Sequence, residues 1–199
     1  MPTAAVLFSG GKDSALAALL LEPHLDVTLV TCGFGLTDAT DHAAEAAAAL
    51  SLPHRTVTLP VEVAEAAVDR LLADGYPNEA IQSVHERALE AVAADGWDVV
   101  ADGTRRGDRT PTVPPPLAQS IEDRFGVGHA APLAGLGRPV VDALVASRLV
   151  VEAGPSDELA KGDYETALRA LLHEREPGAV ERVFPTHTQS RVVGRASPQ

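Results

Sequence analysis

FSGGKDS, residues 8–14, separates two apolar runs, and the rest of the chain is read outward from it. Before it, TAAVLF (3–8) is a short apolar run closed by Ser9-Gly10-Gly11, as expected of a buried parallel strand. After it, SALAALLL (14–21) is apolar on all sides and stops at Glu22-Pro23, as expected of a short buried helix ended by proline. A glycine loop between a strand and a helix presents free N–H groups and the positive end of the helix dipole to an anion. Gly10 and Gly11 let the backbone come close to an oxyanion. Ser9 and Ser14 add hydroxyls, and Lys12 adds a positive charge. Asp13 is out of place beside phosphate unless a magnesium ion lies between them, taking carboxylate and phosphate oxygens together.

Two better-known glycine patterns do not fit. A Walker loop, G-x-x-x-x-G-K-[ST], would place its first glycine at Val6 and a Ser or Thr at Asp13. In a GxGxxG pattern, Gly33-Phe34-Gly35 is followed by Asp38 where the third glycine belongs. Gly126-Val127-Gly128 has Ala131 in that place and does not follow the first strand. The remaining pattern, S-G-G-x-D-S, stands directly after the first strand and directly before the first helix.

Further along, DVTLVTC (26–32), RTVTL (55–59) and WDVVA (97–101) read as strands. Helices are expected at about 38–50, 61–73 and 79–94. Strands alternating with helices predict βαβ units and a mainly parallel sheet, with its binding site at the carboxyl ends of the strands. SGGKDS, TCGFG (31–35) and DGTRRGD (102–108) all fall there. TPTVPPP (110–116) reads as a loop. Helices follow at 117–125, 139–147 and 163–174, with a short fifth strand and a turn in HAAPLAGLGRP (129–139). The tail beyond about 176 reads as a less regular extension with a short strand at 191–193. The expectation is one α/β domain over 1–199.

Composition narrows the function classes. The chain has 199 residues, 45% of them hydrophobic, as in a globular protein. A single cysteine, Cys32, excludes an intramolecular disulfide and a cysteine-only metal site within one subunit. The seven histidines show no HExxH spacing. No stretch is long enough to span a bilayer, and the N-terminus has no basic leader, so a cytoplasmic protein is expected. The net charge is −12. Apart from Lys12 and Lys161, the basic residues are arginines, a composition that fits a salt-adapted or high-GC organism. An acidic chain binds RNA only through local arginine clusters or a partner.

In its proper strand–loop–helix setting, SGGKDS resembles the PP-loop signature of the ATP pyrophosphatases, within the HUP or adenine nucleotide alpha hydrolase superfamily. TCGFG at the end of strand two, Gly103-Thr104 with Asp108 after strand four, and Pro132-Leu133-Ala134-Gly135-Leu136 are similar to recurring segments there. Together with FPTHTQSRVVG (184–194), the chain resembles short archaeal PP-loop proteins labelled as predicted tRNA-thiolation subunits.

The resemblance implies a HUP-type Rossmann-like α/β/α sandwich with a mainly parallel five-stranded sheet. It also implies an AMP-forming enzyme that uses ATP and Mg²⁺ to adenylate a substrate oxygen, with tRNA modification as its setting. tRNA, a sulfur donor, a partner subunit and a homodimer are the associated partners. A small-molecule ligase or amidotransferase, and a non-catalytic ATP- or AMP-binding module, remain alternatives. Ser9, Gly10, Gly11, Lys12, Asp13 and Ser14 would hold pyrophosphate. Thr31, Cys32, Gly33, Phe34, Gly103, Thr104 and Lys161 would complete the nucleotide site, with Asp13 and Asp108 on the metal.

Several residues carry two readings. Cys32 is a buried small hydrophobe or a persulfide carrier. Arg105, Arg106 and Arg109 form local salt bridges or contact phosphates. His187, Gln189, Ser190 and Arg191 are a plain polar tail or part of a substrate site. His129, without a visible partner, reads as structural.

Overall fold

Alternating strands and helices arrange themselves as the hydrophobic pattern requires. In the computed structural model, which describes residues 1–108, 110–156, 158–159 and 161–197, the order begins β1 (Thr3–Leu7), α1 (Lys12–Leu21), β2 (Asp26–Gly33), α2 (Ala39–Ala49) and β3 (His54–Thr58). It continues α3 (Val61–Asp74), α4 (Asn78–Ala93), β4 (Val99–Ala101), α5 (Pro115–Phe125), β5 (Gly128–Ala130) and α6 (Arg138–Arg148). The chain closes with β6 (Leu149–Pro155), α7 (Tyr164–Arg175), α8 (Ala179–Val183) and β7 (Thr188–Arg195). Five strands form one parallel sheet in the order β3-β2-β1-β4-β5. This is the Rossmann-like HUP arrangement, and β1, the strand feeding the glycine loop, lies at its centre.

Strand alternation divides the core. Ala4, Val6 and Leu29 pack with α1, α2 and α6 on one face. Ala5, Leu7, Val30 and Cys32 pack with α3, α4, α7 and α8 on the other. Among the described residues, no helix is long and apolar enough to cross a membrane.

Three local readings change. Pro115 and Pro116 open α5 instead of extending the loop, because the first turn of a helix has no use for its N–H groups. The tail forms α8 and an eight-residue strand, β7, in place of a short strand at 191–193. β7 pairs antiparallel with β6, a strand that directly follows α6 with no break between them.

This two-stranded sheet and the segment before α7 both reach the glycine loop. The Val192 N–H donates to the Gly10 carbonyl (2.9 Å), and the Gly162 N–H donates to the Ser9 carbonyl (2.9 Å). Gly162 also lies so close to α2 that a Cβ there would sit 2.5 Å from Ala43 Cβ and 2.9 Å from the Ala39 carbonyl oxygen. Gly162→Ala is therefore expected to destabilise the fold by about 1–3 kcal/mol, the range for overpacking a filled site. Urea unfolding of the two proteins measures the difference.

Candidate functional site

The loop at the end of β1 is a cradle of N–H groups. Gly10 has φ +78°, a backbone conformation that suits glycine. The carbonyls of Ser9 and Gly10 face outward to Gly162 and Val192, and the Gly11 carbonyl accepts from the Ala15 N–H (3.1 Å) and the Ser14 hydroxyl (3.2 Å). With the carbonyls engaged, the N–H groups of Gly10, Gly11, Lys12 and Asp13 have no acceptor among the described residues, and α1 has no side-chain cap. Uncapped N–H groups at a helix N-terminus attract an anion.

The loop borders a cavity of about 340 Å³ between the strand ends and the segments leading into α4 and α7. Ser9, Asp13, Ser14, Cys32, Gly103 and Thr104 line it, together with Asp108 and Lys161. Gly103 is held against α1: a Cβ there would lie 2.6 Å from the Ser14 nitrogen and 2.7 Å from its Cα. Its lack of a side chain is a packing requirement that brings the end of β4 to the loop.

The charged groups pair among themselves. Lys12 Nζ lies 2.6 Å from Asp13 Oδ1 and 3.0 Å from Asp142 Oδ1 on α6. Its hydrogen bond holds the Asp142 carboxyl below the usual range. Arg105 Nε lies 3.5 Å from Asp13 Oδ2, and its guanidinium is 2.9 Å from Asp108 Oδ1, while its N–H donates to Asp108 Oδ2 (2.8 Å). Lys161 pairs with Asp163 at 2.8 Å. Burial pushes the Lys161 pKa down, but Asp163, together with the charges of Glu165 and Asp13, outweighs it, and the ammonium is kept charged. Among the described residues, no cluster of three or more His, Cys, Asp or Glu is arranged to hold a metal. Asp13 and Asp108 on the cavity wall are a donor set suited to an ion that brings phosphate oxygens with it.

Other expected site residues lie elsewhere. Thr31 is 1% exposed, and its hydroxyl donates to the Phe8 carbonyl (2.7 Å) and meets His54 Nε2 at 2.8 Å. Alternation turns its side chain to the face opposite Val30 and Cys32, so it ties strands together and does not line the cavity. Gly33 and Phe34 line a small neighbouring pocket, with Gly33 packed against Thr40. Arg106 is exposed, lies against Gly137, and donates its N–H to the Leu136 carbonyl (3.1 Å). The Pro132–Leu136 segment thus supports a turn, with Leu133 fully buried. Arg109 lies outside the described residues. In the tail, Arg191 pairs with Glu152 (2.9 Å), Gln189 donates to the Leu159 carbonyl, and Ser190 O lies behind Gly11. The contribution of the tail to the loop comes through its backbone.

Cys32 is free and 4% exposed. Burial, assisted by the charge of Asp95, pushes its thiol up to about 12. A thiol kept protonated is a poor nucleophile, and Cys32 serves as an apolar part of the cavity wall.

The structure adds residues that the sequence reading did not single out. Asp102, at the end of β4, is 1% exposed and lines the cavity. Its Oδ2 accepts from His129 Nε2 (2.9 Å), and its Oδ1 accepts from the Thr104 N–H (2.7 Å). His129 therefore has a partner after all, 27 residues away in sequence on the adjacent strand. Burial raises the Asp102 pKa, but the His129 hydrogen bond, the nearby His85 and the Thr104 hydrogen bonds together outweigh it, and the carboxyl stays below its ordinary value. His85 on α4 also lines the cavity, packs edge-on to Tyr164, and leaves Nε2 without a partner. Burial lowers its pKa and keeps the ring neutral.

A family model described as "Family of unknown function (DUF7411)" matches residues 2–194. An uncharacterized protein of Methanocaldococcus jannaschii is 39% identical over 194 residues, covering 95% of this chain and 94% of its own. A crystal structure described as a predicted subunit of tRNA methyltransferase from Methanocaldococcus jannaschii superposes with a TM-score of 0.92 and 36% identity over 100% of both chains. NMN synthetase from Francisella tularensis reaches a TM-score of 0.46 at 18% identity, over 72% of this chain and 60% of its own.

Cys32 yields a direct expectation. In the native protein at pH 8 it resists iodoacetamide, and it is alkylated on unfolding, as mass spectrometry would show. Its folded pKa, about 12, lies above the ordinary 9.0. The stability linked to this thiol is therefore complete below pH 9 and declines as pH rises toward 12.

Proposed function

The chain belongs to the DUF7411 family, and on that premise we propose that it is a one-domain PP-loop protein that uses ATP to adenylate a substrate oxygen. The observation that carries this reading is the uncapped N–H cradle at the start of α1, next to a cavity that Ser9, Asp13 and Ser14 line. A substrate oxygen forms a bond to the α-phosphorus while the bond to the bridging oxygen breaks, and pyrophosphate leaves. The cradle holds the leaving β- and γ-phosphates, whose negative charge it is built to receive. Lys12 and Arg105, now paired with Asp13, turn to phosphate oxygens when ATP enters and free the Asp13 carboxylate. Asp13, with Asp108 nearby, would hold Mg²⁺, which when bound would neutralise phosphate charge. Lys161 adds a cation to the cavity wall. Gly103 and Thr104 bring the end of β4 to the reacting region.

The setting we propose is tRNA modification, with a partner subunit. It is supported by the full-length likeness to the Methanocaldococcus jannaschii protein described as a predicted tRNA methyltransferase subunit. A net charge of −12 disfavours broad contact with RNA. A basic partner would supply the electrostatic attraction that this chain lacks. The protonated thiol of Cys32 argues against this residue as the sulfur carrier.

Pyrophosphate release measured with bulk tRNA, Mg²⁺ and ATP tests the reading. Asp13→Ala is expected to reduce release by about 100-fold or more, the scale of losing a charge-stabilising group. ATP binding, followed separately by calorimetry, should remain detectable in the variant because the N–H cradle is intact. Release at the wild-type rate in Asp13→Ala would remove Asp13 from the mechanism.

A further inference from the structure

Lys12 fills the x position of S-G-G-x-D-S and is the first residue of α1. Its neighbour Asp13 lines the cavity, whereas the Lys12 ammonium is turned to α6, where Nζ lies 3.0 Å from Asp142 Oδ1. The helix fixes that carboxylate in place. Val141, the residue before it, and Val145 are buried in the same core cluster as Leu16 of α1. The starts of the two helices are therefore held together, and Asp142 is presented to the first residue of α1.

Asp142 also ends a row of alternating charges. The row runs from Asp142 to Lys12 (3.0 Å), on to Asp13 (2.6 Å), then to Arg105 (3.5 Å) and Asp108 (2.9 Å). Lys12 and Asp13 belong to the glycine motif, and Arg105 and Asp108 to the segment after β4. Asp142 comes from a different element, beyond the cavity wall. It has a second cation one helical turn away, with Arg138 Nε at 3.7 Å, and its side chain is 48% exposed. On losing Lys12 it would keep a partner and gain water. An ion pair of this kind is given up at small cost, yet it competes for a cation that stands beside an anion-binding loop.

We propose that Asp142 is a positioning residue that acts through Lys12: in the empty protein it holds the ammonium on α6, and the phosphates of ATP displace it. This inference rests on the ATP-binding role proposed above. Before ATP enters, Lys12 compensates two carboxylates, Asp13 and Asp142. When the phosphates occupy the loop, Nζ swings from Asp142 to a phosphate oxygen, and Arg138 and water take over the carboxylate. Asp142 thereby sets how much ATP is needed to fill the site, without touching the nucleotide.

The chain contains two lysines, Lys12 and Lys161. Lysine-selective ¹³C labelling therefore resolves the Lys12 side chain, and Lys12→Gln assigns its signal. The experiments are run at about 0.15 M salt, where charges more than about 8 Å apart are largely screened. In the ATP-free protein, Asp142→Asn is expected to move the Lys12 signal and leave that of Lys161 in place. Adding ATP and Mg²⁺ to the wild type is expected to move the Lys12 signal as well. Calorimetry is expected to show ATP binding about two- to fivefold tighter in Asp142→Asn than in the wild type, the scale of a partly exposed ion pair. The same substitution made in the Lys12→Gln protein is expected to give no tightening. Asp142→Ser is expected to behave as Asp142→Asn does, and melting curves select whichever of the two folds like the wild type. An unmoved Lys12 signal in the ATP-free variant overturns the proposal. Equal or weaker ATP binding by the variant does so too, as does the same tightening in the Lys12→Gln background, which would make Asp142 part of the general field alone. If ATP neither binds the wild type nor moves its Lys12 signal, the ATP-binding role falls together with this proposal. ATP binding that is indifferent to Asp142 overturns this proposal alone.

Discussion

The site depends on where the carbonyls of one short loop point. A loop at a helix N-terminus holds an anion only if its N–H groups face the ligand and its carbonyls have other partners. Here the Ser9 carbonyl is satisfied by Gly162 and the Gly10 carbonyl by Val192, residues more than 150 positions away along the chain. These two bonds tie the segment before α7 and strand β7 to the back of the loop. Each is worth about 1 kcal/mol, but their larger effect is directional. They leave the N–H groups at the start of α1 uncapped by any side chain and free for another acceptor.

Close packing makes the same point. Gly103 meets α1 and Gly162 meets α2 at distances that leave no room for a Cβ. The ends of β4 and of the segment before α7 are therefore pressed against the glycine loop from two sides. A cavity built this way has fixed walls, which favours the same placement of ligand in every molecule. The charges around it are more adaptable. Lys12, Asp13 and Arg105 are paired with one another, and Asp142 and Asp108 share their pairing. Such pairs are readily exchanged for other partners, because each partly exposed ion pair contributes little by itself.

Much of the fold was legible because its signals are local. Apolar runs of strand length, separated by helical stretches and glycine breaks, are enough to indicate a parallel sheet with its functional loops at one edge. The loop at 9–14 was legible for the same reason, since glycines, hydroxyls, a lysine and an aspartate stand consecutively between a strand and a helix. Elements that depend on distant partners were not legible. β6, and β7 beyond the short strand expected at 191–193, have mixed polarity and are strands because they pair with each other. His129 looked partnerless because Asp102 is on a neighbouring strand. Thr31 looked like a site residue by position, yet alternation turns it away from the cavity. Arg106 looked like part of an arginine cluster, yet the turn at Leu136 and Gly137 holds it outside.

The sequence alone determined the parallel sheet, the place of the glycine loop between β1 and α1 and the chemical oddity of Asp13, because each follows from residues adjacent in the chain. Only the tertiary structure decided which groups face the cavity. It buried Cys32 as a protonated thiol, moved Thr31 and Arg106 out, and brought in Asp102, His85 and the backbone of β7. The physical reason is that hydrogen-bond satisfaction and burial are properties of neighbours in space. Whether a carboxylate is a solvated loop residue or a buried acceptor depends on whether a histidine 27 residues away reaches it.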